Sequence, residues 1–282
     1  MFKSTIFWVL IEMIVLKVGG DIFKKGLSEN LANDIKRVID ARGGKIVIVH
    51  GGGDEVTEIA EKLGKKQIFV ISPDGIRSRY TDEETVEIYT MVMAGRINKA
   101  IIRWLLAAGI PAVGLSGIDG SLLVADRKKK IVIVDERGRK RIIDGGFTGK
   151  ISSVNPRLIE TLLEGGYVPV ISPVAIGSEN ELLNVDSDRA AGQIAGALKA
   201  EKLIFLTDVP GIKIGEEYLR KITLSEAKDL LPKIGPGMNM KVIASMEAIE
   251  AGVKEAIIAC GLREDPITSA LSGLNGTVIT AE

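Results

Sequence analysis

Lys45-Ile46-Val47-Ile48-Val49-His50-Gly51-Gly52-Gly53-Asp54 joins a β-branched apolar run to three consecutive glycines. A strand that is apolar at successive positions is buried on both faces, as in a parallel sheet covered by helices. The glycines past its carboxyl end make a turn without side chains, where backbone N–H groups and a helix N-terminus can meet an anion. The pattern occurs a second time upstream, in Val15-Leu16-Lys17-Val18-Gly19-Gly20. Strand-like runs recur at 14–18, 45–49, 112–115, 167–171, 203–206, 256–259 and 277–280. Helix-like segments lie between them at 28–41, 55–63, 82–108, 156–164, 187–198, 225–231 and 238–250. This alternation predicts an α/β fold, a three-layer αβα sandwich with a mostly parallel central sheet, in two lobes of one continuous sheet. Ser28 and Asp82 read as N-caps, each followed by acidic residues that suit the positive end of a helix.

Residues 121–150 break the rhythm, with short alternating strands and turns that predict hairpins in place of another βα unit. From Arg127 to Lys150 the insert carries nine basic residues and three acidic ones. The whole chain is neutral, with 37 Lys+Arg and 37 Asp+Glu, so the local excess of six positive charges is offset elsewhere. Neutrality argues against a general polyanion binder, whose affinity needs a broadly basic surface, and no nucleic-acid partner is expected. One Cys among 282 residues excludes an intramolecular disulfide and a cysteine zinc site, and one His excludes chemistry that needs two imidazoles. What remains must run on lysine, carboxylate, amide and backbone donors. The apolar run at 6–11 is too short to span a membrane and lacks a cleavage site after it, so the reading is cytoplasmic, with residues 1–12 as an N-terminal extension.

The glycine turns match neither common nucleotide motif. A Walker A loop at Gly149-Lys150 would have Asp144 as its first glycine and Ile151 after the lysine, and Gly51-x-Gly53 is followed by Val56 where a dinucleotide fingerprint needs glycine. One glycine pair after a strand serves equally as a tight turn; two such pairs point more strongly to phosphate. His50 reads as a buried histidine bonded to backbone in preference to a ligand. Three further clusters bear polar groups at strand or helix ends: Asn184-Val185-Asp186-Ser187-Asp188-Arg189, Thr207-Asp208-Val209-Pro210-Gly211, and Gly235-Pro236-Gly237-Met238-Asn239-Met240-Lys241. In the first, Asp186 or Ser187 is the expected helix cap. In the last, a lysine in a helix's first turn runs against the dipole, and a nearby anion would explain it.

In this order the five clusters resemble the amino-acid kinase family, in its acetylglutamate-kinase-like branch. Gly75-Ile76-Arg77-Ser78-Arg79-Tyr80-Thr81-Asp82 and Gly145-Gly146-Phe147-Thr148-Gly149-Lys150-Ile151 are more similar to the LysW-dependent kinases of lysine and arginine biosynthesis than to N-acetylglutamate kinases, which typically carry Pro where this chain has Asp54. The resemblance implies transfer of the ATP γ-phosphoryl to a side-chain carboxylate of aminoadipate or glutamate, with N-acetylglutamate as the alternative acceptor. It implies one kinase domain over 13–282, with substrate and carrier bound by about 13–182 and ATP by about 183–282. Lys17 and Lys241 match the two lysines that neutralise the migrating phosphoryl, and Asp188 the carboxylate that holds them. Gly19, Gly20 and Gly52 match backbone donors to the phosphates, Gly52 and Gly53 also match positions lining the substrate pocket, and Arg79 and Asn184 match the groups that grip the substrate's α-carboxylate. Thr207, Asp208, Gly211 and Met238 fall where the family holds the nucleotide. No residues are assigned to a metal, since Mg²⁺ would arrive with ATP. The implied partner is a small acidic carrier protein of the LysW type, which the basic insert would steer. A homodimer or larger homo-oligomer is expected from the family and from the helix at 82–108, whose Val86, Ile88, Tyr89, Val92, Met93, Ile97, Ile101 and Ile102 exceed one buried stripe.

Overall fold

The apolar runs become strands because β-branched side chains pack well on a pleated surface and both sheet faces are covered. The structure, a computed structural model, describes residues 13–24, 28–42 and 45–282, so the expected extension at 1–12 lies outside the described residues. In chain order it begins with β1 (Met13–Val18), α1 (Gly20–Lys24), α2 (Glu29–Arg42), β2 (Lys45–His50), α3 (Gly53–Lys62), β3 (Ile68–Ile71) and β4 (Arg77–Tyr80). A continuous helical rod follows, made of α4 (Glu83–Thr90), a π-helical segment (Met91–Ile97) and α5 (Asn98–Ala107). Next come β5 (Ala112–Ser116), β6 (Leu123–Arg127), β7 (Lys130–Val134), β8 (Lys140–Asp144), β9 (Gly149–Val154) and α6 (Arg157–Glu164). They lead to β10 (Val168–Ser172), β11 (Val174–Ile176), β12 (Leu182–Asn184) and α7 (Ser187–Ala197). The chain closes through β13 (Lys202–Thr207), β14 (Lys213–Ile214), β15 (Glu217–Tyr218), β16 (Lys221–Thr223), α8 (Leu224–Leu230), α9 (Met238–Glu250), β17 (Glu255–Cys260), α10 (Pro266–Leu271) and β18 (Thr277–Thr280).

Eight strands form the central sheet in the order β16-β18-β17-β13-β1-β2-β10-β5. From β17 to β5 every neighbouring pair is parallel, whereas β18 runs antiparallel to β17 and β16 follows β18. Alternate residues of the same strands feed two cores. Val15, Val47, Val49 and Phe205 face Ile194 of α7 and Val242, Ala244 and Ala248 of α9. Leu16, Ile46, Ile48 and Ile204 face Leu31 and Ile35 of α2, Ile101 and Leu105 of α5, and Ile267 of α10. Each buried Val, Ile or Leu contributes on the order of 1.5–3 kcal/mol relative to exposure. The result is the three-layer αβα sandwich expected from the alternation. Among the described residues no helix is long and apolar enough to cross a membrane.

The caps fall where expected: Ser28 Oγ accepts from Leu31 N–H at 3.2 Å and Asp82 Oδ1 from Thr85 N–H at 2.8 Å. At α7 the cap is Asp186, which accepts from Arg189 N–H at 2.9 Å. The insert does form hairpins, β6 pairing antiparallel with β9 and β7 with β8. Two features differ from the sequence reading. A hairpin of β3 and β4 occupies 68–80. In the rod, Val86, Ile88, Tyr89, Val92, Met93, Ile97 and Ile101 are all buried within this chain, so their number gives no ground for a partner. The π segment widens the inward face beyond the single stripe of an α-helix.

Candidate active site

Parallel register brings the two glycine turns side by side, since Lys17 pairs with Val49 and Val18 with His50. Gly19 N–H donates to Leu206 O at 3.1 Å and Gly51 N–H to Val18 O at 3.0 Å, which ties both turns to the sheet. The turns meet closely: a Cβ on Gly20 would stand 3.1 Å from Gly52 Cα, and one on Gly51 would stand 3.6 Å from Lys17 Nζ and 3.4 Å from Ser187 Oγ. Gly52 has φ of 146°, a conformation open mainly to glycine, and a Cβ there would run into Ile97 Cδ1. Packing and backbone conformation thus keep side chains out of both turns.

Beside these turns, three charges from distant parts of the chain converge. Lys17 Nζ lies 2.7 Å from Asp188 Oδ1, and Lys241 Nζ lies 3.2 Å from Asp188 Oδ2. Lys17 and Asp188 are 4% and 5% exposed, so neither charge is solvated as in bulk water. Burial alone would raise the Asp188 pKa; the charges of Lys17 and Lys241 overcome this and hold its carboxyl below the usual range. One carboxylate between two ammonium groups leaves this trio one positive charge in excess, beside the Gly51 turn. The lysine in the first turn of α9 therefore has an anion beside it.

The residues expected to bind the acceptor are also brought together. Arg79 on β4 is buried, and its Nη2 donates to Gly53 O at 2.6 Å and Thr57 Oγ1 at 2.9 Å, while Nη1 bonds Gln67 Oε1. Asn184 Nδ2 donates to Thr81 Oγ1 at 3.0 Å, and Thr81 Oγ1 reaches Arg79 O at 3.3 Å. Thr81 thus links the two groups. Phe147 N–H donates to Thr81 O at 2.7 Å, and Asn184 N–H to Phe147 O at 2.9 Å. The two segments 75–82 and 145–151, far apart in sequence, form one wall.

The residues assigned to the nucleotide lie on the opposite flank, at the end of β13 and the start of α9. Thr207 closes β13, whose Leu206 binds the Gly19 turn, and Met238 opens the helix that carries Lys241. Gly211 has φ of 153°, and Thr277 Oγ1, which accepts from Ile212 N–H at 2.9 Å, lies where a Cβ would begin. A close strand approach accounts for this glycine. Asp208 stands beside Thr207 with Oδ1 3.5 Å from its hydroxyl.

Two concavities among the described residues have charged linings. One, about 300 Å³, lies at the β7–β8 hairpin and is lined by Asp135, Glu136, Arg137, Arg139 and Arg141. The other, about 230 Å³, is lined by Arg77, Asp186, Asp188, Gly237, Asn239 and Lys241 among others, and it is the one that holds the charge cluster. Size does not decide between them; the chemistry of the lining does. Desolvation in this cleft and the neighbouring Asp188 charge push the Asp186 carboxyl above its ordinary range. The cleft-lining places of Arg77 and of Asp186, expected only as a helix cap, are not evident from the sequence reading. A period-two signal was available for Arg77, because it shares a strand face with Arg79 and both guanidinium groups sit over the Phe69 ring, at 3.5 and 4.9 Å from its centroid.

The model of the amino acid kinase family matches residues 12–260. The chain belongs to the amino acid kinase family. A relative from Cenarchaeum symbiosum (strain A) is 55% identical over 267 residues, covering 95% of this kinase and 99% of that chain. A "[LysW]-aminoadipate/[LysW]-glutamate kinase" of Metallosphaera sedula is 48% identical, covering 95% of this kinase and 100% of the relative. Among solved structures, the smu.665 protein of Streptococcus mutans UA159 superposes with a TM-score of 0.77 at 27% identity, covering 96% of this kinase and 99% of that chain. The kinase is a phosphotransferase.

Proposed function

We propose that this kinase transfers the γ-phosphoryl of ATP to the side-chain carboxylate of 2-aminoadipate, glutamate or both, each joined through its amino group to a small acidic carrier protein of the LysW type. One carboxylate oxygen forms the new P–O bond as the bond from the γ-phosphorus to the bridging oxygen breaks, and that electron pair leaves with ADP. The acceptor is already ionised, so no general base is required, and catalysis rests on alignment and charge compensation. Lys17 and Lys241 offset charge on the migrating group, Asp188 keeps them in place, and backbone N–H groups at Gly20 and Gly52 face the phosphates, while Gly19, whose N–H is spent on Leu206 O, shapes the turn. Arg79 and Asn184 hold the α-carboxylate end of the acceptor, with Gly53 lining its pocket, and Thr207, Asp208, Gly211 and Met238 hold the nucleotide. Mg²⁺ would come with ATP, coordinated mainly by phosphate oxygens and water; Asp186 is the cleft carboxylate beside the Asp188 cluster.

The observation that carries this reading is the buried pairing of Asp188 with two lysines beside two glycine turns. The acceptor class is supported by the names of relatives at 45–55% identity. Positive charge around β7 and β8 supports the acidic carrier, because β7 packs against β3 of the hairpin that bears Arg77 and Arg79. Exposed Ile142 and Val132 add apolar surface to the same hairpin. The protein is read as cytoplasmic. It is also read as a homo-oligomer, for which Met91 and Leu106 on the outer side of the rod leave apolar surface.

The test is ADP release with ATP and Mg²⁺, comparing carrier-linked aminoadipate and glutamate with free N-acetylglutamate. Turnover should depend on the carrier. Equal or faster turnover on free N-acetylglutamate would replace this reading with the N-acetylglutamate kinase alternative.

A further inference from the structure

The only histidine of the chain is fully buried at the end of β2, against the glycine turn. His50 Nδ1 is 3.0 Å from Gly51 O, and its Nε2 is 3.3 Å from Asn98 Nδ2. A carbonyl oxygen only accepts, so Nδ1 carries the proton and Nε2 presents a lone pair, which the Asn98 amide meets as a donor. The orientation of that amide is set independently, because Nδ2 also donates to Val170 O at 2.9 Å.

We propose that His50 is a positioning residue for phosphoryl transfer: by holding the Gly51 carbonyl it fixes the plane of the Gly51–Gly52 peptide and thereby aims the Gly52 N–H at the phosphate turn. In a planar trans peptide the C=O and the following N–H point in opposite directions. Holding the carbonyl on the histidine side turns the N–H towards Gly20, whose Cβ, if present, would lie 3.2 Å from Gly52 N. Support comes from below through the π segment. Its last residue, Ile97, packs under Gly52, and the next, Asn98, meets His50. Gly114 makes room, since a Cβ there would occupy the position of Asn98 Oδ1. A π-helical insertion in a rod otherwise α-helical often marks a functional position, and here it delivers two adjacent residues to one peptide.

The proposal rests on the phosphate-binding reading of the glycine turns, and its test separates the two. Nitrogen-15 NMR of the wild-type protein reports the one imidazole directly. A neutral ring protonated on Nδ1 at pH 7 is expected; an Nε2–H tautomer or an imidazolium overturns the proposal whatever the enzyme phosphorylates. The second arm compares two amides. His50→Asn places an amide nitrogen near the Nδ1 position and should keep kcat within about fivefold of wild type, whereas His50→Gln reaches only the Nε2 position and should lower it roughly 10²-fold, the scale of one lost transition-state donor. KM for ATP should change little in either. Gly114→Ala, which displaces Asn98 without touching the turn, should lower kcat in the same direction. Equal losses in the two amide variants that follow their melting temperatures would show a packing role and overturn the proposal. Wild-type inactivity on every carrier-linked acceptor would count against the proposed reaction and leave the NMR result to judge the geometry.

Discussion

Two carboxylates in this molecule are each held between two cations, and they do opposite things. Asp188 lies between Lys17 and Lys241, with side chains 8%, 5% and 15% exposed. Asp135 lies between Arg139 and Arg141 on the β7–β8 hairpin, 3.0 and 2.9 Å away, and those arginines are 54% and 58% exposed. Both carboxyls sit below their ordinary pKa, for different reasons. At Asp135, whose own side chain is half-buried under its exposed arginines, the Arg139 N–H donor leads, and the Arg139 side chain, the Arg137 N–H and the Arg141 charge add to it against the opposing effect of burial. At Asp188, two charges must overcome burial. Water screens the first site and the protein does not screen the second, so similar charge patterns make a surface feature in one place and a buried charge cluster, the reaction machinery of the proposed function, in the other.

The comparison breaks most visibly at the centre. Replacing Lys17 by Ala should lower kcat by roughly 10²–10⁴-fold with the fold intact, since it removes charge compensation from a dry site. Asp188→Asn should cost about 3–5 kcal/mol of stability by leaving two ammonium groups without their carboxylate. ATP should recover more melting temperature in that variant than in wild type, because its phosphates replace the missing anion. Steady-state ADP release and thermal unfolding with and without nucleotide check both. A Lys17→Ala enzyme with normal kcat would remove Lys17 from the mechanism.

Next in size is a pH effect confined to the centre. Burial lowers the His50 pKa to about 4, with the Lys17 and Lys99 charges adding to this and the Gly51 hydrogen bond opposing it. An unfolded histidine titrates near 6.5, so between roughly pH 6.5 and 4 the unfolded chain binds a proton that the native chain refuses. Stability should therefore fall as pH drops through that window, by about 1.4 kcal/mol per unit at its steepest. His50→Asn should lack this slope. Asp186, raised by desolvation and the Asp188 charge, titrates in both proteins and largely cancels in the difference. Denaturant unfolding at several pH values reads it, and parallel curves for the two proteins would contradict the burial of a neutral imidazole.

Much of this contrast was legible in the sequence, and the reasons it was not wholly so are physical. Two strands ending in glycines, and a lysine set against the dipole of α9, point to the centre from sequence alone. The charge run of the insert pointed to the hairpin. The β3–β4 hairpin escaped because its strands have four residues each, and Arg77-Ser78-Arg79-Tyr80 shows no apolar alternation. The π segment escaped because apolar residues over 82–108 were read at 3.6 per turn, which left a surplus that looked like an interface. The wider π turn puts that surplus in the core. That Arg79, Thr81, Phe147 and Asn184 share one wall depends on a cross-chain register that no local pattern encodes.

At the hairpin, effects should be smaller and should appear in binding. Arg139→Glu with Arg141→Glu should raise KM for the carrier-linked acceptor about five- to tenfold at low salt, with kcat nearly unchanged, and the difference should shrink as ionic strength rises. For a free acceptor no such change is expected. A variant whose kcat falls while KM holds would move the hairpin from docking into the chemistry.

The smallest effect sharpens the comparison most, because it applies one substitution to both sites. In Asp135→Asn the amide oxygen can still accept from Arg137 N–H and Arg139 N–H, which now meet Oδ1 at 3.0 and 2.9 Å. What is lost is attraction to two guanidinium groups already in contact with water, so the melting temperature should stay within about 2 °C of wild type. The hairpin also becomes one charge more positive. An acidic carrier should then bind slightly better, with KM lowered up to about twofold at low salt and unchanged at high salt. The same replacement at Asp188 has no such outlet, because its partners cannot turn to solvent and the excess charge stays inside the cleft. Opposite signs for the two asparagine variants would place recognition in the hairpin and catalysis at the strand ends; a loss of activity at both sites would mean that Asp135 shapes the reaction centre through the β7–β3 contact.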